Sequence, residues 1–81
     1  MAEDDWFIRY RFHVDRIRSM SASSEKLVYL YLLVSQPQSF ITIRRAMAIS
    51  RTTLDRTLKS LMDEGHVELD ETYLYWVAPP Q

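Results

Sequence analysis

Eighty-one residues, 47% of them hydrophobic, with a single glycine and a formal net charge of −1, describe one foldable, helix-rich domain. The absence of cysteine excludes a disulfide framework and thiolate zinc sites, so a domain this small sits near the lower limit of independent stability, where association is a common remedy. The acidic start Ala2-Glu3-Asp4-Asp5 is unlike a secretory signal, and the longest apolar run, residues 27–34, falls far short of the roughly 18 residues of a membrane span, so a cytoplasmic protein is expected.

Along residues 6–14, Trp6, Ile8, Tyr10, Phe12 and Val14 alternate with Arg9, Arg11 and His13, which predicts a strand or extended arm; Phe7 interrupts the pattern and leaves a short helix open. A polar, serine-rich connection follows. From Ser23 to Ser35 the spacing of Leu27, Leu30, Tyr31 and Val34 predicts a helix, with Ser21, Ser23 and Ser24 as candidate caps and Pro37 as the stop. Val28, Leu32 and Leu33 extend its apolar surface nearly all round, so more than one face needs cover, from the N-terminal segment or from a second subunit.

Phe40-Ile41 is expected to form a very short strand. A second helix over residues 43–47 would be capped by Thr42, with a tight turn at Ala48-Ile49. Ser50 would cap a third helix, residues 51–64, and Gly65 would end it. Leu54, Leu58, Leu61 and Met62 form its buried face; Arg51, Thr52, Asp55, Arg56 and Lys59 lie mainly on the other. Two short strands, around Val67–Leu69 and Leu74–Trp76, pair through a turn at Asp70-Glu71. A strand or arm, three helices and a C-terminal hairpin make an α+β, winged helix-turn-helix plan. Its expected parts are residues 1–22 as arm and connection, 23–77 as the winged helix and 78–81 as a short tail.

The near-zero net charge conceals segregation. Between residues 42 and 59, Arg44, Arg45, Arg51, Arg56 and Lys59 face one acid, Asp55, whereas residues 60–81 carry Asp63, Glu64, Glu68, Asp70 and Glu71 with no Lys or Arg. Cations that neutralise DNA phosphates release counterions, and a helix entering the major groove reads base edges with its first turns. The predicted DNA contacts are therefore Arg44, Arg45, Ser50, Arg51, Thr52, Thr53, Arg56 and Lys59. Arg9, Arg11, Arg16 and Arg18 form a second basic group that would track the backbone, although a half-exposed strand needs outward polar residues in any case. The acidic wing, with Glu68, Asp70 and Glu71, would be repelled by phosphates and is expected to point away from DNA or to meet a protein partner. Trp6, Tyr29, Tyr31, Tyr73, Tyr75 and Trp76 are read as core or interface rather than base-stacking platforms.

The run Ile49-Ser50-Arg51-Thr52-Thr53-Leu54-Asp55-Arg56-Thr57-Leu58, continuing to Asp63-Glu64-Gly65-His66-Val67, resembles the recognition helix and first wing strand of GntR-type and MarR-type regulators. Residues 23–33, with the aromatic, basic segment upstream, are similar to winged helices of phage and plasmid replication proteins. The resemblance implies DNA contact by Ser50, Arg51, Thr52 and Thr53, with Arg44 or Arg45 contributing from the preceding helix. Asp55 stands where those regulators often carry arginine, and Ala48 where glycine is frequent.

No catalytic constellation is present. The one glycine precludes a phosphate-cradling loop, and His13 and His66 lack partners at metal spacing, so no enzyme activity, metal or cofactor is expected. The leading expectation is a homodimeric, nucleoid-associated binder of double-stranded DNA, joined through the 23–35 helix and the N-terminal segment. Transcription regulation, replication, partition and nucleoid packaging all remain open. The alternative is a winged-helix adaptor whose acidic wing binds protein; RNA binding is a third reading.

Overall fold

The computed structural model describes residues 2–79, and their side chains from Tyr10 onward. The element order is α1 (Ala2–Ser19), α2 (Ser23–Ser35), β1 (Gln38–Ser39), α3 (Phe40–Met47), α4 (Arg51–Asp63), β2 (Val67–Leu69) and β3 (Leu74–Val77). The strands form one antiparallel sheet in the order β1-β3-β2, with Gln38 opposite Tyr75 and Val67 opposite Val77. This is the α+β winged helix-turn-helix arrangement, with four helices rather than three among the described residues.

The N-terminal segment is a helix, not a strand or arm. Its period-two pattern is outweighed by a period of three to four on the described part. Arg16 and Met20 are buried, with Phe12, His13 and Ile17 partly covered beside them, while Arg11 and Asp15 pair across one helical turn at 3.5 Å on the exposed side. Tertiary contact on this face overrides the alternation. Trp6 and Arg9 belong to the part whose side chains lie outside the described residues.

Local chemistry sets the remaining boundaries. Ala22, not one of the flanking serines, is the N-cap of α2; it brings no side-chain acceptor, and its own backbone N–H donates to Glu25 Oε1, three residues in, at 3.3 Å. Ser39, not Thr42, caps α3: its Oγ accepts from the Thr42 N–H at 3.2 Å, which draws Phe40 and Ile41 into the first helical turn and moves the short strand back to Gln38–Ser39. Ser50 caps α4 as expected, accepting from the Thr53 N–H at 3.1 Å. Gly65, at φ 75°, ends it: His66 N–H reaches Leu61 O and Gly65 N–H reaches Met62 O, the paired bonds of a left-handed helix stop.

One core joins these elements. Val28, Tyr29 and Leu32 of α2 meet Ile43 of α3, Leu54, Leu58 and Leu61 of α4, Val67 and Val77 of the sheet, and Met20 after α1. Each buried aliphatic contributes about 1.5–3 kcal/mol. The outer face of α2 stays bare: Leu27, Leu30 and Val34 are 59%, 42% and 87% exposed.

The wing closes through a turn at residues 70–73, longer than the Asp70-Glu71 turn expected, with Tyr73 left-handed at φ 63°. The Asp70 carboxylate ties it together, accepting from Thr72 N–H and Oγ1, Leu74 N–H and Trp76 Nε1 at 2.7–3.0 Å. These bonds, the Trp76 one foremost, hold its pKa down to about 2. A depressed carboxylate stabilises the fold above its unfolded pKa, and that contribution is lost as pH falls through the folded value. The Trp76 indole N–H resonance is therefore expected to keep its hydrogen-bonded shift down to pH 3 and to move near pH 2; Asp70→Ala should move it at neutral pH.

At the helix-turn-helix turn, Ala48 is left-handed, with φ 54° and ψ 42°, and exposed. That conformation costs an alanine about 1–2 kcal/mol, whereas glycine costs about 0.5–1 kcal/mol in unfolded-chain freedom. Ala48→Gly should raise the urea midpoint, with a net gain of about 0.5–1 kcal/mol and an unchanged slope.

Candidate nucleic-acid interface

At about 100° per residue, Thr52, Asp55, Arg56 and Lys59 share the side of α4 opposite its buried ridge of Leu54, Leu58 and Leu61, and all four are exposed. Arg51 turns toward α3. There Arg44, Arg45 and Arg51, with Phe40 and Ile41, line a notch of about 230 Å³. Among the described residues, Arg44, Arg45, Arg51 and Arg56 form no ion pair. Lys59 is different: its Nζ lies 3.1 Å from Asp55 Oδ2, so the one acid on this surface is matched within the same helix. Ser50 and Thr53 are engaged with each other, Ser50 Oγ donating to Thr53 Oγ1 at 2.9 Å while it caps the helix.

The structure therefore places Arg44, Arg45, Ser50, Arg51, Thr52, Thr53, Arg56 and Lys59 on the exposed surfaces of adjoining elements α3 and α4. It does not gather the second basic group. Arg16 is 9% exposed, and its guanidinium is committed to the carbonyls of Ala78, at 2.7 Å, and Pro79, at 3.3 Å. Arg11 is paired with Asp15, and Arg18 stands exposed on the last turn of α1. Of the aromatics read as core or interface, Tyr29 is fully buried, Tyr31 and Tyr75 are partly covered, and Tyr73 and Trp76 are exposed on the wing.

The residues that aim α4 were not singled out from the sequence. Glu25, 5% exposed, accepts from Ser60 Oγ at 2.8 Å, and Thr57 Oγ1 donates to Ser24 Oγ at 3.1 Å. These two bonds cross-brace the start of α2 to the middle of α4. The sequence signal was present, a glutamate three residues inside a helix start, but its second partner is 35 residues away.

A family model described as "Sugar-specific transcriptional regulator TrmB" matches residues 22–81. The chain belongs to the TrmB family. The match covers α2 to β3, the helix-turn-helix and the wing, and makes this the DNA-binding domain of a transcriptional regulator, not an enzyme. Comparisons with curated proteins and with solved structures give no significant match. No helix among the described residues of this TrmB-family chain is long and apolar enough to cross a membrane.

Burial by itself raises the Glu25 pKa, but hydrogen bonds from Ser60 and the Ala22 N–H outweigh it, and the net shift is downward from 4.5. The brace accordingly stabilises the fold at neutral pH and weakens as pH falls below 4.5 through the lower folded value. Glu25→Ala removes the acceptor of the Ala22 N–H and leaves the Ser60 hydroxyl to Glu64 Oε1, 3.4 Å away, so it should cost about 1 kcal/mol in chemical denaturation at pH 7. Glu25→Gln keeps an acceptor and should flatten the acid limb of stability against pH.

Proposed function

We propose that α4 is the recognition helix of this regulator. Its first turns enter the major groove, where Arg51 and Arg56 address base edges and Thr52 and Thr53 a thymine methyl or a phosphate. Arg44 and Arg45 on α3 contact the phosphate backbone, and Lys59 meets a phosphate further along. Ser50 acts through the helix start, which its side chain caps. The observation that carries this reading is the set of four exposed arginines on α3 and α4 that have no ion-pair partner among the described residues, in a chain whose family regulates transcription.

The working unit is a homodimer in the cytoplasm, on the nucleoid. The bare stripe of Leu27, Leu30 and Val34 on α2, together with the N-terminal segment, supports that association. Two copies would address half-sites one DNA turn, about 34–36 Å, apart. The family's description makes a sugar the first class of signal to test. The exposed Glu68 and Glu71 keep the wing off the phosphates and leave it to a protein partner.

Fluorescence anisotropy with random-sequence duplex across a salt series tests the DNA contact. The wild type should bind and weaken steeply with salt, and Arg51→Ala/Arg56→Ala should lose about tenfold or more. Removing Arg44 or Arg45 should lower the salt slope by about one unit per lost phosphate contact. Equal binding by wild type and double variant would move the contact off α4. No binding at low salt, with no site recovered by selection, would favour an adaptor that works through its wing.

A further inference from the structure

A buried polar chain joins α1 to the rest of the domain, and neither DNA contact nor apolar packing accounts for it. Arg16 Nη1 donates to Ala78 O at 2.7 Å, to Tyr29 Oη at 3.2 Å and to His66 O at 3.4 Å; Nη2 reaches Pro79 O at 3.3 Å. The guanidinium lies 4.2 Å from the centre of the Phe12 ring. Tyr29 is 0% exposed, and its hydroxyl oxygen also lies 2.6 Å from His13 Nδ1.

The proton positions follow from the donor inventory. Arginine can only donate, so the Tyr29 oxygen accepts from Arg16. The single phenolic proton is then left for His13 Nδ1, which must accept it. His13 is therefore neutral in this arrangement, with its own proton on Nε2.

We propose that the His13–Tyr29–Arg16 chain is an acid-sensitive latch, which holds α1 on the winged helix-turn-helix domain and releases it when His13 takes up a proton. Protonation turns Nδ1 from acceptor to donor, so the Tyr29 hydroxyl would face two donors and have no acceptor for its own proton. It would also set two cations one helical turn apart. Among the described residues, His13 is faced by Arg16 on its own helix, Tyr29 on α2 and, across the Tyr29 ring, His66 ahead of β2. Among the described residues no carboxylate lies within ion-pair distance of His13, whereas His66 Nε2 has Glu64 at 3.9 Å. The new charge would thus have no counter-ion among the described residues.

Burial, and then the Arg16 charge, lower the pKa of docked His13 below 6.5. Released His13 binds protons more readily, so docking is pH-independent well above 6.5 and weakens as pH falls below it. The loss is at most about tenfold per pH unit and ends once docked His13 is itself protonated. Because the same guanidinium holds Ala78 and Pro79, release of α1 also frees the chain after β3.

Amide hydrogen exchange and histidine 15N shifts of the whole chain, followed from about pH 8 to about pH 5, test the latch. Histidine occurs twice in the chain, so His13→Gln and His66→Gln separate the two sources. At the alkaline end His13 should carry its proton on Nε2. Protection factors of the α1 amides should fall on acidification through pH 6.5 in the wild type and in His66→Gln, by at most about tenfold per pH unit, and stay level in His13→Gln. Level protection in the wild type, a transition that survives in His13→Gln, or a proton on Nδ1 at the alkaline end would each overturn the proposal. Should His13→Gln fail to fold, the wild-type tautomer and titration decide alone. None of these readouts involves DNA, so the latch and the recognition helix stand or fall separately.

Discussion

Leu54, Leu58 and Leu61 turn one whole side of α4 into the protein, where Val28, Tyr29 and Leu32 of α2 receive it, and the geometry of the domain depends on this contact. An amphipathic helix of 13 residues is marginal alone and takes its stability from packing one face. Once that face is committed, the opposite one is fixed by helical geometry. Thr52, Arg56 and Lys59 have nowhere to go but outward, and Arg51 is carried to the side where α3 brings Arg44 and Arg45. The basic surface thus follows from how the core closes.

Apolar packing fixes the distance between two helices better than their rotation and slide. Around the α2–α4 contact, directional bonds supply what is missing: Glu25 with Ser60, and Ser24 with Thr57. A buried carboxylate satisfied by two donors stabilises little net of its desolvation, yet it penalises any other register, in which those donors would be unpaired. Arg16 works similarly at Tyr29, where one guanidinium joins α1, α2 and the chain after β3. The domain pairs a small apolar core with two polar clasps, each sensitive to protonation in its own pH range.

The charge pattern gains meaning from the same packing. Asp55 interrupts the basic surface, but Lys59 matches it within α4. Asp70, counted among the acids of the wing, is the knot of the wing turn; its donors are neutral groups, so it keeps its charge and adds to that of Glu68 and Glu71. Among the described residues, the arginines of α3 and α4 stay without such partners.

What the sequence determined by itself was local. The Ser50 cap, the Gly65 stop, the leucine spacing of α4 and the two-stranded wing were legible because each depends on residues within about one helical turn or one hairpin. The winged helix-turn-helix plan followed from them, and the basic character of α3 and α4 from the charge pattern. The tertiary structure alone decided three matters. It made residues 2–19 a helix, because the face formed by Phe12, His13, Arg16, Ile17 and Met20 meets the core, where alternation along the chain had suggested a strand. It chose Ser39 over Thr42 as the start of α3, since β1 must pair with β3 and the chain turns directly after it. And it withdrew Arg16 from the surface, because its acceptors lie 13, 50, 62 and 63 residues away in sequence. Bonds closed over such separations leave no trace in local spacing, and only the folded chain brings their ends together.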